Sequence, residues 1–128
     1  NGKPWLDDSI ELFIDANASH LPQYDGQDDH HMIFRIGDST ITYGGHSSPR
    51  RLVAQYAMKK FDNSYVLELI IPWPSLGIQA GAGTRIGLDI HVNDKDQPGI
   101  RKGKLTWKDQ RDDSWRAPAA FGELILER

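Results

Sequence analysis

From Ile86 to Trp115 the chain reads IGLDIHVNDKDQPGIRKGKLTWKDQRDDSW, with acidic, basic, amide and aromatic side chains crowded around strand ends. The chemistry these types can do together is polyol recognition. Planar charged groups such as Asp94 and Arg101 form charge-assisted hydrogen bonds to hydroxyls, while the indole of Trp115 takes up the C–H face of a pyranose. Upstream, Glu11 and Arg35 both lie opposite the aliphatic faces of their strands, so in a shared sheet the two could meet. Two other chemistries compete. A small glycoside hydrolase would need paired carboxylates, such as Glu11 and Asp94, about 5–10 Å apart across a cleft. With 18 acidic residues in the chain accidental pairs are common, so binding is the stronger reading. A haem-binding electron-transfer domain would need Met32 with His91 or His46 as axial ligands.

Composition removes several classes. At 128 residues the chain is one domain, 1–128, with a single core. A formal charge of −3 provides no footprint for nucleic acid or an anionic membrane. No apolar run approaches the ~20 residues of a membrane helix. There is no basic-then-apolar leader, and any secretion signal is expected outside these residues. Without cysteine there are no disulfides, thiol nucleophiles or thiolate metal sites. Asp25, Asp28 and Asp29 cluster in a loop, either as solvated charge or as hard oxygen ligands for calcium. Asp94 to Gly99 opens like an EF-hand loop. The twelfth position is Leu105, where a bidentate glutamate is required, so that site is rejected.

The elements that must position these residues are short strands. Ser9 to Asp15 alternates, with Ile10, Leu12 and Ile14 on one face and Ser9, Glu11, Phe13 and Asp15 on the other. On that pattern Glu11 is expected to be solvated. Met32 to Ile36 is a second strand, and His30 and His31, being adjacent, point to opposite sides. Thr40 to Tyr43 is short. Leu52 to Phe61 and Tyr65 to Ile71 form a hairpin about Asp62-Asn63-Ser64. Pro72 and Pro74 stop the second of these, leaving a helical turn with Trp73 and Leu76 tucked beneath a sheet. Ile86 to Asn93 places Ile86, Leu88, Ile90 and Val92 opposite Gly87, Asp89, His91 and Asn93, and Phe121 to Leu126 is a last strand. Seven or so strands at this spacing predict an all-β, antiparallel β-sandwich of jelly-roll or immunoglobulin-like type.

Trp5-Leu6-Asp7-Asp8-Ser9-Ile10-Glu11-Leu12-Phe13-Ile14-Asp15 resembles the W-x-x-D-S-[VI]-E-[IL]-F-[VI]-D signature of family 9 carbohydrate-binding modules. Phe34-Arg35, Tyr65-Val66-Leu67-Glu68, Ile71-Pro72-Trp73, Gly99-Ile100-Arg101, Thr106-Trp107, Ser114-Trp115-Arg116 and Phe121-Gly122-Glu123-Leu124 follow in the family's order. The resemblance implies a non-catalytic module that grips the terminal, reducing-end sugar of plant polysaccharides or oligosaccharides such as xylan and cellulose. Such modules are secreted by bacteria, covalently linked to a catalytic domain such as a xylanase, and often calcium-bearing. By position it implies Trp5 and Trp115 as the sugar's two walls, ringed by Glu11, Arg35, Asp94, Arg101 and Asp112. Asp112 stands where better-known binders are expected to carry asparagine, which exchanges an amide donor for an acceptor-only carboxylate. Trp73 and Trp107 match structural positions.

The family's domain also begins some tens of residues before its first tryptophan, with strands that this sequence does not contain. Ile10, Leu12 and Ile14 are therefore expected to lose pairing and cover. They would pair instead with the missing N-terminal segment, held elsewhere, or with a second copy of the chain.

Overall fold

Alternation along the chain gives each strand of the main sheet two different faces, and the fold follows from how each face is covered. The computed structural model describes residues 2–95 and 103–128. Among them are eight strands: β1 (Ser9–Asp15), β2 (Asp29–Arg35), β3 (Thr42–Tyr43), β4 (Gln55–Lys60), β5 (Tyr65–Ile70), β6 (Arg85–Asp94), β7 (Gly103–Thr106) and β8 (Gly122–Ile125). Six make one antiparallel sheet in the order β3-β2-β1-β6-β7, with β8 pairing the first half of β6. The β4–β5 hairpin forms the second layer. The expected antiparallel sandwich is thus the fold, built from a broad sheet and a narrow one.

The hairpin covers the aliphatic face. Ile14, Met32 and Phe34 pack with Leu52 and Leu76 beneath Tyr56, Met58, Leu67 and Leu69 of the hairpin. Leu76 lies in the expected helical turn, Trp73–Leu76, and is buried; Trp73 is 37% exposed and is not tucked under the sheet. The expectation for β1 needs a larger correction. β1 is central, paired along its length with β2 and β6, so Ile10, Leu12 and Ile14 keep both neighbours. Ile14 is buried and Leu12 packs on the core. The uncovered aliphatic residues lie further along the same face: Ile90, cross-strand from Leu12, is 40% exposed, and Leu105, cross-strand from Val92, is 73% exposed. Two hairpin strands are too narrow to roof a six-stranded sheet.

The opposite face, read from sequence as the outer one, is the better buried. Ser9, Glu11, Phe13 and Asp15 of β1 are all at or below 2% exposure, and Asp89, His91 and Asn93 of β6 are as deep. Loops take the place of a second sheet here. Gly44 and Ser48 donate backbone N–H groups to the carbonyls of His31 and Asp29, tying the 44–48 loop to β2. Phe13 packs against Phe121 with ring centroids 5.6 Å apart, and Tyr24 meets the edge of Phe121 at 6.1 Å. Trp107 lies over Gly122, where an added Cβ would stand 2.7 Å from the indole. The rest of the Trp107 side chain is open to solvent, the residue being 56% exposed.

Candidate functional site

On the loop-covered face a cavity of about 380 Å3 opens between Trp5 and Trp115, with Glu11, His31, Lys104 and Asp112 beneath. Trp5 sits on a 3₁₀ turn, Pro4–Leu6, whose first position suits proline's fixed φ and missing N–H. Asp7 locks this turn in place. It is 4% exposed, and its carboxylate takes Arg35 Nη1 at 3.1 Å and Lys95 Nζ at 2.9 Å. Trp115 sits on the 107–116 loop, which is organised by two buried carboxylates. Asp109 accepts the backbone N–H groups of Arg111, Asp113 and Ser114, and Asp89 accepts those of Lys108 and Asp109. Asp112 is held at φ 58°, the left-handed region that a non-glycine residue seldom enters, and there the loop turns toward Trp115. His46 flanks that indole at 5.8 Å.

The floor is an ion-paired network. Glu11 takes His31 Nε2 at 2.8 Å on one oxygen, and Asn93 Nδ2 and Lys104 Nζ, both at 2.9 Å, on the other. Lys104 also bonds Asp112, joining floor to wall. Burial works to raise the Glu11 pKa, but the His31 hydrogen bond and the charges and donors of His31, Lys104 and Asn93 prevail and hold it at about 2. His31 is itself wedged, stacked on Phe13 at 4.2 Å and backed by Gly44, where an added Cβ would stand 2.0 Å from Nδ1. The floor is therefore rigid, charged and rich in both donors and acceptors.

Of the residues expected at a sugar site, Trp5, Glu11, Asp112 and Trp115 line this cavity. Arg35 does not. It bonds Asp38 through Nε and Nη2 and Asp7 through Nη1, so it stands one residue behind the Trp5 turn. Asp94 does not line it either. β6 continues through Asp94, so period-two alternation turns this residue to the Val92 side, where its charge acts on the Tyr65 hydroxyl. Arg101 lies outside the described residues. The residues missed are Asn93, Lys104, His31 and His46. The first two carried a readable signal: Asn93 alternates with His91, and Lys104, its cross-strand partner, alternates with Leu105.

Two competing chemistries do not match the geometry. Met32 belongs to the aliphatic core, whereas His91 and His46 lie on the other side of the sheet, so no haem could take both ligands. Glu11 held near pKa 2 cannot serve as a general acid, and Asp94 does not face it.

Two of the three acids expected to hold a cation, Asp28 and Asp29, belong to a cluster among the described residues. Asp15, Asp28 and Asp29 bring ligand oxygens within 4.8 Å of one another. Asp25 accepts the N–H of Gln27 at 2.8 Å, and its carboxylate also adjoins those of Asp28 and Asp29. Burial, opposed for Asp29 by the backbone N–H of Asp25 and reinforced by neighbouring carboxylates, raises Asp28 to about 6 and Asp29 to about 7. One oxygen each of Asp15 and Asp29 is buried with no hydrogen-bond partner among the described residues, and carboxylate oxygens are the donor type that hard cations take. Asp89, His91 and Asp109 also converge, but their carboxylate oxygens are occupied by the loop N–H donors named above. That cluster is a loop anchor.

Comparison with known proteins identifies the family and the fold. The model for the carbohydrate family 9 binding domain-like family matches residues 1–128. The chain is 36% identical over 126 residues to an endo-1,4-beta-xylanase A of Thermotoga maritima and 32% identical over 123 residues to the exoglucanase XynX of Acetivibrio thermocellus. These matches cover 98% and 96% of this chain, which spans 11% of the length of each relative. Among solved structures, a family 9 module from Caldicellulosiruptor kristjanssonii in complex with cellotriose matches with a TM-score of 0.83 at 26% identity, covering 99% of this chain and 61% of that one. The same organism's module in complex with glucose also gives 0.83, at 25% identity, covering 100% and 63%. With the sandwich, the tryptophan-walled cavity and a family match along its whole length, this chain belongs to the family 9 carbohydrate-binding modules, which bind sugars and do not cleave them.

Proposed function

We propose that the cavity between Trp5 and Trp115 takes the terminal, reducing-end sugar of a xylan- or cellulose-type chain. The observation that carries this reading is two indoles lining one 380 Å3 cavity over a buried, ion-paired floor. That volume lies at the small end of the ~300–1,000 Å3 usual for small-molecule sites, which suits a chain end better than a flat polysaccharide face. The indoles stack on pyranose C–H faces. Glu11, ionised and rigid, accepts from the anomeric hydroxyl, the most acidic hydroxyl of a sugar. Lys104 spends two of its three donors on Glu11 and Asp112 and offers the third to the ligand. The solved neighbours complexed with cellotriose and glucose support the ligand class. The xylanase and exoglucanase relatives support a place beside a catalytic domain in a secreted enzyme.

Calorimetry on this chain tests the reading. Trp115→Ala is expected to abolish binding of glucose, xylose, cellobiose and xylo-oligosaccharides, and borohydride reduction of the sugar to its alditol to weaken it at least tenfold, by more than the ~1.4 kcal/mol that factor represents. Unchanged affinity in the variant would overturn the site, and equal affinity for sugar and alditol would overturn end recognition.

Calcium at Asp15, Asp28 and Asp29 is part of the same proposal, supported by the two partnerless buried oxygens. Chelator is expected to lower the melting temperature and added calcium to restore it, with the response lost in Asp29→Asn. A melting curve indifferent to chelator would remove the site.

A further inference from the structure

Trp115 and His46 line not one cavity but two. Beside the sugar slot lies an open groove of about 1080 Å3, walled by the 22–24 segment and the 108–120 segment. The two walls are stitched together: Tyr24 donates its hydroxyl to the Ser114 carbonyl at 2.6 Å, and Ala119 donates its N–H to the Leu21 carbonyl at 2.9 Å. The groove is therefore a formed surface continuous with the slot, with Tyr24 and Trp115 as its aromatic lining.

Its charge is opposite in character to the slot's. Among the described residues, the slot's floor and wall carry Glu11 and Asp112 against Lys104. The groove is lined by Lys108, Arg111, Arg116, Asp109 and Asp113. Asp109 is 5% exposed, and its oxygens are occupied by the loop's own N–H and hydroxyl donors. Asp113 is neutralised by Arg116 through Nε at 3.0 Å and Nη2 at 2.6 Å. Two charges are left over, both positive: Lys108 and Arg111 are exposed, and neither side chain is in an ion pair among the described residues. In a chain of formal charge −3 this is a local reversal, placed against the residue that walls the sugar slot.

We propose that this groove is a second subsite that takes a carboxylated sugar, a uronic acid carried as a branch near the chain end held in the slot. The proposal rests on the slot reading above. Trp115 and Tyr24 offer apolar surface to the sugar ring, while Lys108 and Arg111 meet its carboxylate, with the guanidinium suited to bidentate pairing.

The test is calorimetry at low salt. It compares an unbranched xylo-oligosaccharide with one of the same length bearing one glucuronic acid next to the reducing-end xylose. The acidic ligand is expected to bind about threefold to tenfold tighter, with the advantage shrinking in 0.5 M NaCl. The double variant Lys108→Ala, Arg111→Ala is expected to erase the advantage and leave glucose binding unchanged. It keeps the backbone N–H groups that the loop anchor uses, so the fold is retained. Equal or weaker binding of the acidic ligand, or an advantage that survives the double variant, overturns the subsite. Glucose alone reads the slot: no binding of glucose overturns the slot reading and this proposal with it, whereas glucose binding without acid preference overturns the groove alone.

Discussion

Glu11 shows how burial and partners together set the state of one side chain. On a strand read from its pattern alone it belongs to a solvated face, yet it is 2% exposed and bonded to His31, Asn93 and Lys104. A buried carboxylate survives ionised only when its partners outweigh desolvation. Here they do, and its pKa falls from the ordinary 4.5 to about 2. Because the folded value lies below the unfolded one, the stabilisation is fully present above pH 4.5 and is lost as pH falls toward 2. Its size is on the order of 3 kcal/mol. A stability–pH curve from denaturant melts is expected to fall across that window in the wild type and to fall less steeply in Glu11→Gln, where Asp89 and Asp109, also held below the ordinary range, still titrate. Parallel acid limbs in the two proteins would show that Glu11 is not the titrating group. Asn93 and Lys104 make a related point. Their positions were legible from period-two alternation, but their role was not, because it required knowing that this face is roofed.

At the scale of elements, the site is assembled by short pieces that sequence reading places well and orients less well. The Pro4–Leu6 turn and the 107–116 loop present the two tryptophans, and each is fixed by buried carboxylates, Asp7 in one case and Asp89 with Asp109 in the other. The boundary of β6 mattered most. Ending the strand at Asn93 leaves Asp94 free to join the site; extending it by one residue sends Asp94 to the opposite face. The 44–48 loop is the other deciding element. Gly44 is needed because an added Cβ would stand 2.0 Å from the His31 ring, which Phe13 and Glu11 prevent from moving. Gly44→Ala is therefore expected to cost about 1–3 kcal/mol, read as a lowered denaturation midpoint, and to weaken sugar binding by displacing His31. Wild-type stability and affinity in that variant would show that the His31 wedge can relax.

At the scale of the whole molecule, the sheet divides the interior into an aliphatic core under the hairpin and an aromatic, ion-paired core under the loops. This partition predicts opposite outcomes for two apolar residues that look equivalent in the strand pattern. Met32→Ala, at 0% exposure, is expected to cost about 2–5 kcal/mol. Leu105→Lys, at 73% exposure, is expected to change the stability of this chain by no more than about 0.5 kcal/mol. Denaturant melts of both variants check the partition, and a large loss in Leu105→Lys would mean that this end of the sheet is covered. By itself the sequence determined the strands, their two faces, the hairpin, the all-β class and, through its first eleven-residue signature, the family. These are local or patterned properties, set by period-two alternation and turn chemistry. Only the tertiary structure decided which face would be roofed by loops, that Glu11 would be ionised at the bottom of a cavity, that Asp15 joins Asp28 and Asp29, and that Arg35 pairs with Asp7 beside the Trp5 turn. The physical reason is that each depends on contacts between residues far apart in the chain. Burial, charge compensation and the side of the sheet a loop folds over are properties of those contacts and are not written in any one segment.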